Sequence, residues 1–206
     1  MPETPRGLFV TFEGVEGAGK TTQIALLRDY LEQAGHSVRV TREPGGDAVA
    51  ETVRRLLLER DMVPRAELLL FLASRAQNVE NVIRPHLAGG GIVLCDRYID
   101  SSVAYQGWAR GIGREVVRQL NAFAIDGMLP DLTVLLDLPP SVGLARQTDR
   151  NRMEEESLEF HERVREGFLQ EARNYPARFC VLDAALEAAV LHAAIRERVK
   201  ALLDGR

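Results

Sequence analysis

At 206 residues, with 46% hydrophobic and 27% charged content, the chain has the make-up of one globular domain able to bury a substantial core. A formal net charge of −4 argues against a general nucleic-acid or anionic-membrane surface, so an anionic ligand must be held by a local group of cations. No run reaches the roughly 18 apolar residues of a membrane span and residues 1–6 lack the parts of a secretory signal, so a cytoplasmic protein is expected, with Cys95 and Cys180 as reduced thiols.

The apolar run at 8–13 reads as a first strand. It passes directly into GVEGAGKT at 14–21, which fits the phosphate-binding pattern G-x-x-x-x-G-K-[ST] between a strand and a helix. Gly14, Gly17 and Gly19 let the backbone N–H groups around Val15, Glu16 and Ala18 approach phosphate oxygens where side chains would block them. The helix at 20–34, with Ile24, Leu27 and Leu31 on one face and Gly35 as its stop, then directs its positive end at the same anion. Lys20 can reach the outer phosphates, the Thr21 hydroxyl can ligate Mg²⁺, and Thr22 lies in the same first turn. Only Lys20 and Lys200 are lysines among 26 basic residues, so the loop keeps a compact ammonium in a chain that otherwise uses arginine. A nucleoside triphosphate site is expected here.

A second strand at 37–41 leads to Arg42 and the turn that follows it, then to helices at 48–60 and 66–87. Phe71 and Arg75 lie four apart in the latter and share a face. They could stack on and hydrogen-bond a nucleobase, or Phe71 could be core in a very apolar helix. A third strand at 91–95 delivers Asp96, in the place where a phosphate-loop protein keeps an acid for Mg²⁺, and Arg97, a phosphate ligand or a local salt-bridge partner. The hydroxyls and amides of Ser102, Tyr105 and Gln106 suit a base and a sugar, or begin a capped surface helix. Glu16 suits a sugar hydroxyl better than a phosphate.

A helix at 114–125 and a strand at 132–137 precede a polar stretch at about 146–156 that carries Arg146, Arg150 and Arg152. It is expected to be a mobile lid whose arginines close on the triphosphate, or a solvated charged face. A helix at 157–174, a strand at 178–182 and a helix at 186–203 complete the chain. Five strands alternating with helices predict a three-layer α/β/α fold, single-domain over 1–206, around a five-stranded parallel sheet. Ligands in such sheets bind beyond the strand carboxyl ends, so 14–21, 42–46 and 96–98 should converge on one cleft. The four histidines, His36, His86, His161 and His192, show neither metal nor triad spacing. With no evident base, the residues suit an acceptor phosphate, which is largely dianionic at neutral pH and needs only positioning, Mg²⁺ and cations.

FEGVEGAGKTT at 12–22, TREPGG at 41–46, Ser74-Arg75 and above all DRYIDSSVAYQG at 96–107 make the chain resemble the bacterial thymidylate kinases over nearly its full length. The resemblance implies a P-loop nucleoside monophosphate kinase that phosphorylates dTMP to dTDP with ATP and Mg²⁺. Phe71 would then stack on thymine, with Arg75 and Ser102 at its edge and Gln106 nearby. Tyr105 would exclude a 2′-hydroxyl, Glu16 would accept from the 3′-hydroxyl, and Arg97, with Arg42, would hold the acceptor phosphate. Gly17-Ala18 leaves no arginine in the loop, which implies the type whose catalytic arginine lies in the lid: Arg150 first, Arg152 second. A homodimer is implied as well. A deoxynucleoside kinase of the same fold would need a base such as Glu13 near a 5′-hydroxyl. A GTP-dependent switch would need an Asn-Lys-x-Asp stretch, which the sequence lacks.

Overall fold

In a computed structural model, residues 6–146 and 151–206 are described. Five parallel strands, β1 (Phe9–Glu13), β2 (Val38–Arg42), β3 (Ile92–Asp96), β4 (Leu132–Asp137) and β5 (Phe179–Asp183), stand in the order β2-β3-β1-β4-β5. This is the P-loop NTPase arrangement that the motif implies. β1 is fully buried, whereas β2 and β5, at the edges, each bury a single residue, Thr41 and Phe179. Four strands, β1, β2, β3 and β5, start one residue later than the apolar runs suggest, because pairing with the neighbouring strand sets the ends and apolarity does not.

The strand period sorts side chains to two faces. Val10, Phe12, Ile92 and Leu94 pack with Leu27 and Leu31 of α1 (Lys20–Gln33) and with Ile195 and Val199 further along the chain. Phe9, Val93 and Cys95 point the other way, into a cluster with Val79, Ile83 and Leu87. Between these layers the register sets Phe12 against Asp96 and Asp96 against Arg42. The carboxyl ends of β1, β2 and β3 are thus level, and the chain reverses its direction of winding at β1. The three motif segments meet there, as the strand-end rule requires.

The remaining helices are α2 (Ala48–Glu59), α3 (Pro64–Asn78), α4 (Arg84–Ala88), α5 (Ile99–Ser102), α6 (Arg114–Ile125), α7 (Pro140–Ala145), α8 (Leu158–Asn174) and α9 (Ala188–Asp204). The helix expected over 66–87 is not uniform. A π-helical turn at Val79–Ile83 separates α3 from α4, where Pro85 has no N–H to continue the ladder. A second π-helical segment, Val103–Ala109, extends α5 and is almost wholly buried, so the stretch after Asp100 is an inner wall and not a surface helix. The short helix α7, hidden in the sequence between two prolines and the polar stretch, packs its Gly143 against the phosphate loop.

Candidate active site

Positive φ angles at Gly14, Gly17 and Gly19 shape the loop. A Cβ at Gly17 would stand 2.3 Å from the Gly143 carbonyl oxygen, whereas one at Gly19 would meet nothing within 4 Å; only the backbone angle demands glycine there. The N-cap of α1 makes no side-chain hydrogen bond, so no side chain competes with an anion for the first-turn N–H groups. Lys20 is 8% exposed and donates to the carbonyls of Gly14 (3.1 Å) and Val15 (3.0 Å). Burial, then the nearby Arg97 cation, lowers its pKa to about 8, against the pull of Asp96, Glu16 and Glu13.

Two cavities meet at this loop. One, of about 400 Å³, is lined by residues 16–21 together with Arg42, Asp96, Arg97 and Arg146. The other, of about 130 Å³, is walled by Phe71, Ser102, Tyr105 and Gln106. Glu16, Glu43, Arg54, Arg97 and Glu154 line both. Arg97 adopts a left-handed φ of 66°, a strained setting for a residue with a Cβ. Its guanidinium donates to the Gly14 carbonyl (3.1 Å), Ser101 Oγ (3.3 Å) and Glu16 Oε1 (2.9 Å). Tyr105 donates to the same Glu16 oxygen at 2.5 Å. Burial opposes ionisation of Glu16, but Arg97, His161, Lys20 and Tyr105 outweigh it and hold the carboxyl well below the usual range. Asp96 Oδ1 is buried without a hydrogen-bond partner, an orphaned hard acceptor close to Thr21 on the cavity wall. That pair fits Mg²⁺, which binds through few protein oxygens and completes its shell with phosphate and water.

Arg75 is 1% exposed and lies behind the smaller cavity. Four of its five donors are used, on Glu43 Oε2 (2.6 Å), Ser102 Oγ (3.0 Å), Asn121 Oδ1 (2.5 Å) and the Tyr98 carbonyl (2.9 Å). Arg42 is mostly open and paired with Glu51 at the cavity mouth. Gln106 is fixed by a bond to Glu67 (2.9 Å).

The polar stretch is partly docked. Arg150 lies outside the described residues. Arg152 is not brought to the phosphate loop: it donates to Glu67 Oε2 (2.7 Å) and the Leu57 carbonyl (3.0 Å), beside Arg110 on the same carboxylate. Met153 is buried, and Asn151, Met153 and Glu154 line the smaller cavity, so the described part of the stretch packs as a wall of that cavity. Arg146 does reach the loop, donating to the Gly17 carbonyl at 2.9 Å. Glu13 is fully buried and turned to the chain after β3, accepting from Tyr98 N (2.8 Å) and Ser101 Oγ (2.6 Å). Burial, reinforced by Asp100, raises its pKa to about 7.

Arg54 was not anticipated, though its position carries a signal. It shares a helical face with Ala50 and Leu57, both buried, so a cation stands where an amphipathic helix normally places a hydrophobe. It donates to the Pro44 carbonyl (2.8 Å), lies in both cavities, and is made less basic by burial and by Arg42.

The family model of thymidylate kinase matches residues 12–195. The chain belongs to the thymidylate kinase family. It is 50% identical over 204 residues to a thymidylate kinase of Trichlorobacter lovleyi, covering 93% of this chain and 96% of that one. A thymidylate kinase of Geobacter sulfurreducens is 53% identical over 189 residues, covering 86% and 89%. The crystal structure of thymidylate kinase from Ehrlichia chaffeensis superposes with a TM-score of 0.81 at 36% identity, over 95% of this chain and all of that one. The family match includes the segment from 96 to 107.

Proposed function

We propose that this enzyme transfers the γ-phosphoryl group of ATP to dTMP, giving dTDP and ADP. The observation that carries this reading is the junction at Glu16, Arg97 and Arg54, where an elongated anion cradle and a smaller, ring-lined cavity share a wall. The triphosphate occupies the larger cavity, its outer phosphates on Lys20 and on the loop from Gly14 to Thr22. Thymine enters against Phe71, beside Ser102 and Gln106, with Arg75 braced behind and one N–H to spare. Tyr105 closes the sugar's 2′ side and Glu16 takes the 3′-hydroxyl. Arg97 and Arg54, with Arg42 at the mouth, hold the acceptor phosphate.

An oxygen of that phosphate attacks the γ-phosphorus as its bond to the β–γ bridging oxygen breaks, and ADP leaves. At neutral pH the acceptor is largely dianionic, so no protein base is required. Lys20, Arg97 and Arg146 supply positive charge around the transferring group. Thr21 and Asp96 would hold Mg²⁺, which when bound would supply neutralising charge to the phosphates. Glu13, engaged with the chain after β3, is an unsuitable base for a 5′-hydroxyl, which weighs against a nucleoside acceptor. A coupled ADP-release assay with dTMP, dUMP, UMP, dCMP and thymidine tests the assignment. Turnover confined mainly to dTMP is expected, and turnover of thymidine would overturn it.

Among the described residues, no helix is long and apolar enough to cross a membrane. Small-molecule substrates, without nucleic acid or membrane partners, in the cytoplasm complete the reading. α2, α3 and α6 pack in series and present Leu56, Leu69, Val116 and Phe123 to solvent, Phe123 at 89% exposure. A second copy of the chain covers this face in a homodimer. Phe123→Asp is expected to weaken self-association by about 100-fold, in keeping with loss of a central aromatic anchor. Sedimentation velocity at micromolar concentration would show a monomer; an unchanged dimer would place the interface elsewhere.

A further inference from the structure

Glu16 uses its two oxygens unequally. Oε1 accepts from Arg97 (2.9 Å) and Tyr105 (2.5 Å), while Oε2 is buried with no hydrogen-bond partner. His161 Nδ1, on α8, stands 3.4 Å from that free oxygen. His161 is 0% exposed, and neither ring nitrogen has a partner. A buried imidazole with both nitrogens idle is an expensive way to fill space, since phenylalanine or leucine would do so without stranding polar atoms. The surroundings are built to hold the ring. Phe160 packs edge-on against it with centroids 5.6 Å apart, and Phe160 and Phe168 both pack on Tyr105, which with Arg97 holds Glu16 Oε1.

The geometry points to His161 as a positioning residue that donates from Nδ1 to Glu16 Oε2 and aims this carboxylate at the 3′-hydroxyl of the acceptor sugar. This rests on the reading that Glu16 takes that hydroxyl. His161 lines neither cavity, so it acts through Glu16 and not on the nucleotide. The two idle groups stand just beyond good hydrogen-bond distance. A hydroxyl donating to Glu16 from the cavity side would seat the carboxylate, and a small closure would complete the contact between Nδ1 and Oε2 from behind. A carboxylate braced on both oxygens discriminates better than one free to turn, because an acceptor lacking the hydroxyl leaves a buried charge unsatisfied.

His161→Phe keeps the ring and removes the donor, and His161→Asn restores a donor near the Nδ1 position. Steady-state kinetics with dTMP and 3′-deoxythymidine monophosphate read the effect. His161→Phe is expected to raise KM for dTMP about tenfold, the scale of one charge-assisted hydrogen bond, with kcat within about twofold. KM for the 3′-deoxy acceptor should move by less than about twofold, and His161→Asn should recover most of the preference. Equal effects on both acceptors, or none on either, would reduce His161 to packing and overturn the inference. Glu16→Gln abolishing a preference that His161→Phe leaves intact would overturn it too, with the reading of Glu16 standing. A parent enzyme that shows no preference for the 3′-hydroxyl would overturn both. Should His161→Phe fail to fold, ¹⁵N-histidine spectra of the parent answer the same question: the His161 Nδ1 resonance should move on adding dTMP and stay put with the 3′-deoxy acceptor. A matching shift with both acceptors would overturn the proposal.

Discussion

Lys20→Ala is expected to lower turnover with saturating dTMP and ATP by roughly 10³-fold while leaving the fold intact, since it removes a cation aimed at charge developing in the transition state. The ammonium is parked on two loop carbonyls and made unusually acidic by burial and by Arg97, so much of its electrostatic cost is borne before ligand arrives. A triphosphate relieves that cost. The pH dependence has a definite sign. In the free enzyme Lys20 loses its proton as pH rises through about 8, and bound phosphates restore it. ATP affinity should therefore fall above pH 8 and binding there should take up a proton, measurable by calorimetry in two buffers of different ionisation enthalpy. Stability moves the opposite way. The unfolded chain keeps its lysine proton up to the ordinary value of 10.5, so the burial cost is fully present below pH 8 and fades as pH climbs between the two. Unchanged turnover of Lys20→Ala, with a circular-dichroism spectrum like the parent's, would remove Lys20 from the site.

Arg75→Ala should have the largest effect on stability, about 3–5 kcal/mol, because it strands a buried carboxylate along with three further acceptors. Glu43 is 2% exposed, and burial already raises its pKa despite the Arg75 charge beside it. Without the guanidinium it must protonate or draw in water. The variant's deficit should consequently shrink as pH is lowered, because a protonated Glu43 no longer needs a counter-charge. Urea melts at pH 7 and pH 5 would show this. A loss that is the same at both values would mean that Glu43 is not the stranded group. The acceptor KM should rise as well, since Ser102 and the chain after β3 hang on the same guanidinium.

Much of this was legible in the sequence because it rests on local rules. The strand, glycine loop and helix around Lys20 are specified by neighbours along the chain, and the parallel sheet follows from apolar runs alternating with helical periods. Convergence of 14–21, 42–46 and 96–98 needed only the strand-end rule. What escaped depends on long-range packing. That Glu67 claims Arg152 could not be read from a stretch of charges, because the partner lies 85 residues away. Helix α7 is too short to show a period. The deep burial of His161 emerges only when α8 is laid against the segment carrying Tyr105, and spacing among histidines carries no trace of it.

The mutual contact of Gly17 and Gly143 reaches beyond this molecule. A Cβ at Gly143 would stand 2.1 Å from the Glu16 carbonyl oxygen, and one at Gly17 would strike Gly143 in return. The two positions are interlocked, so neither can accept a side chain while the other stays where it is. An arginine at position 17 is thus barred on steric grounds while α7 keeps its place. Grafting a relative's arginine-bearing loop onto this scaffold should fail unless α7 travels with it, which makes loop and helix a single inherited cassette.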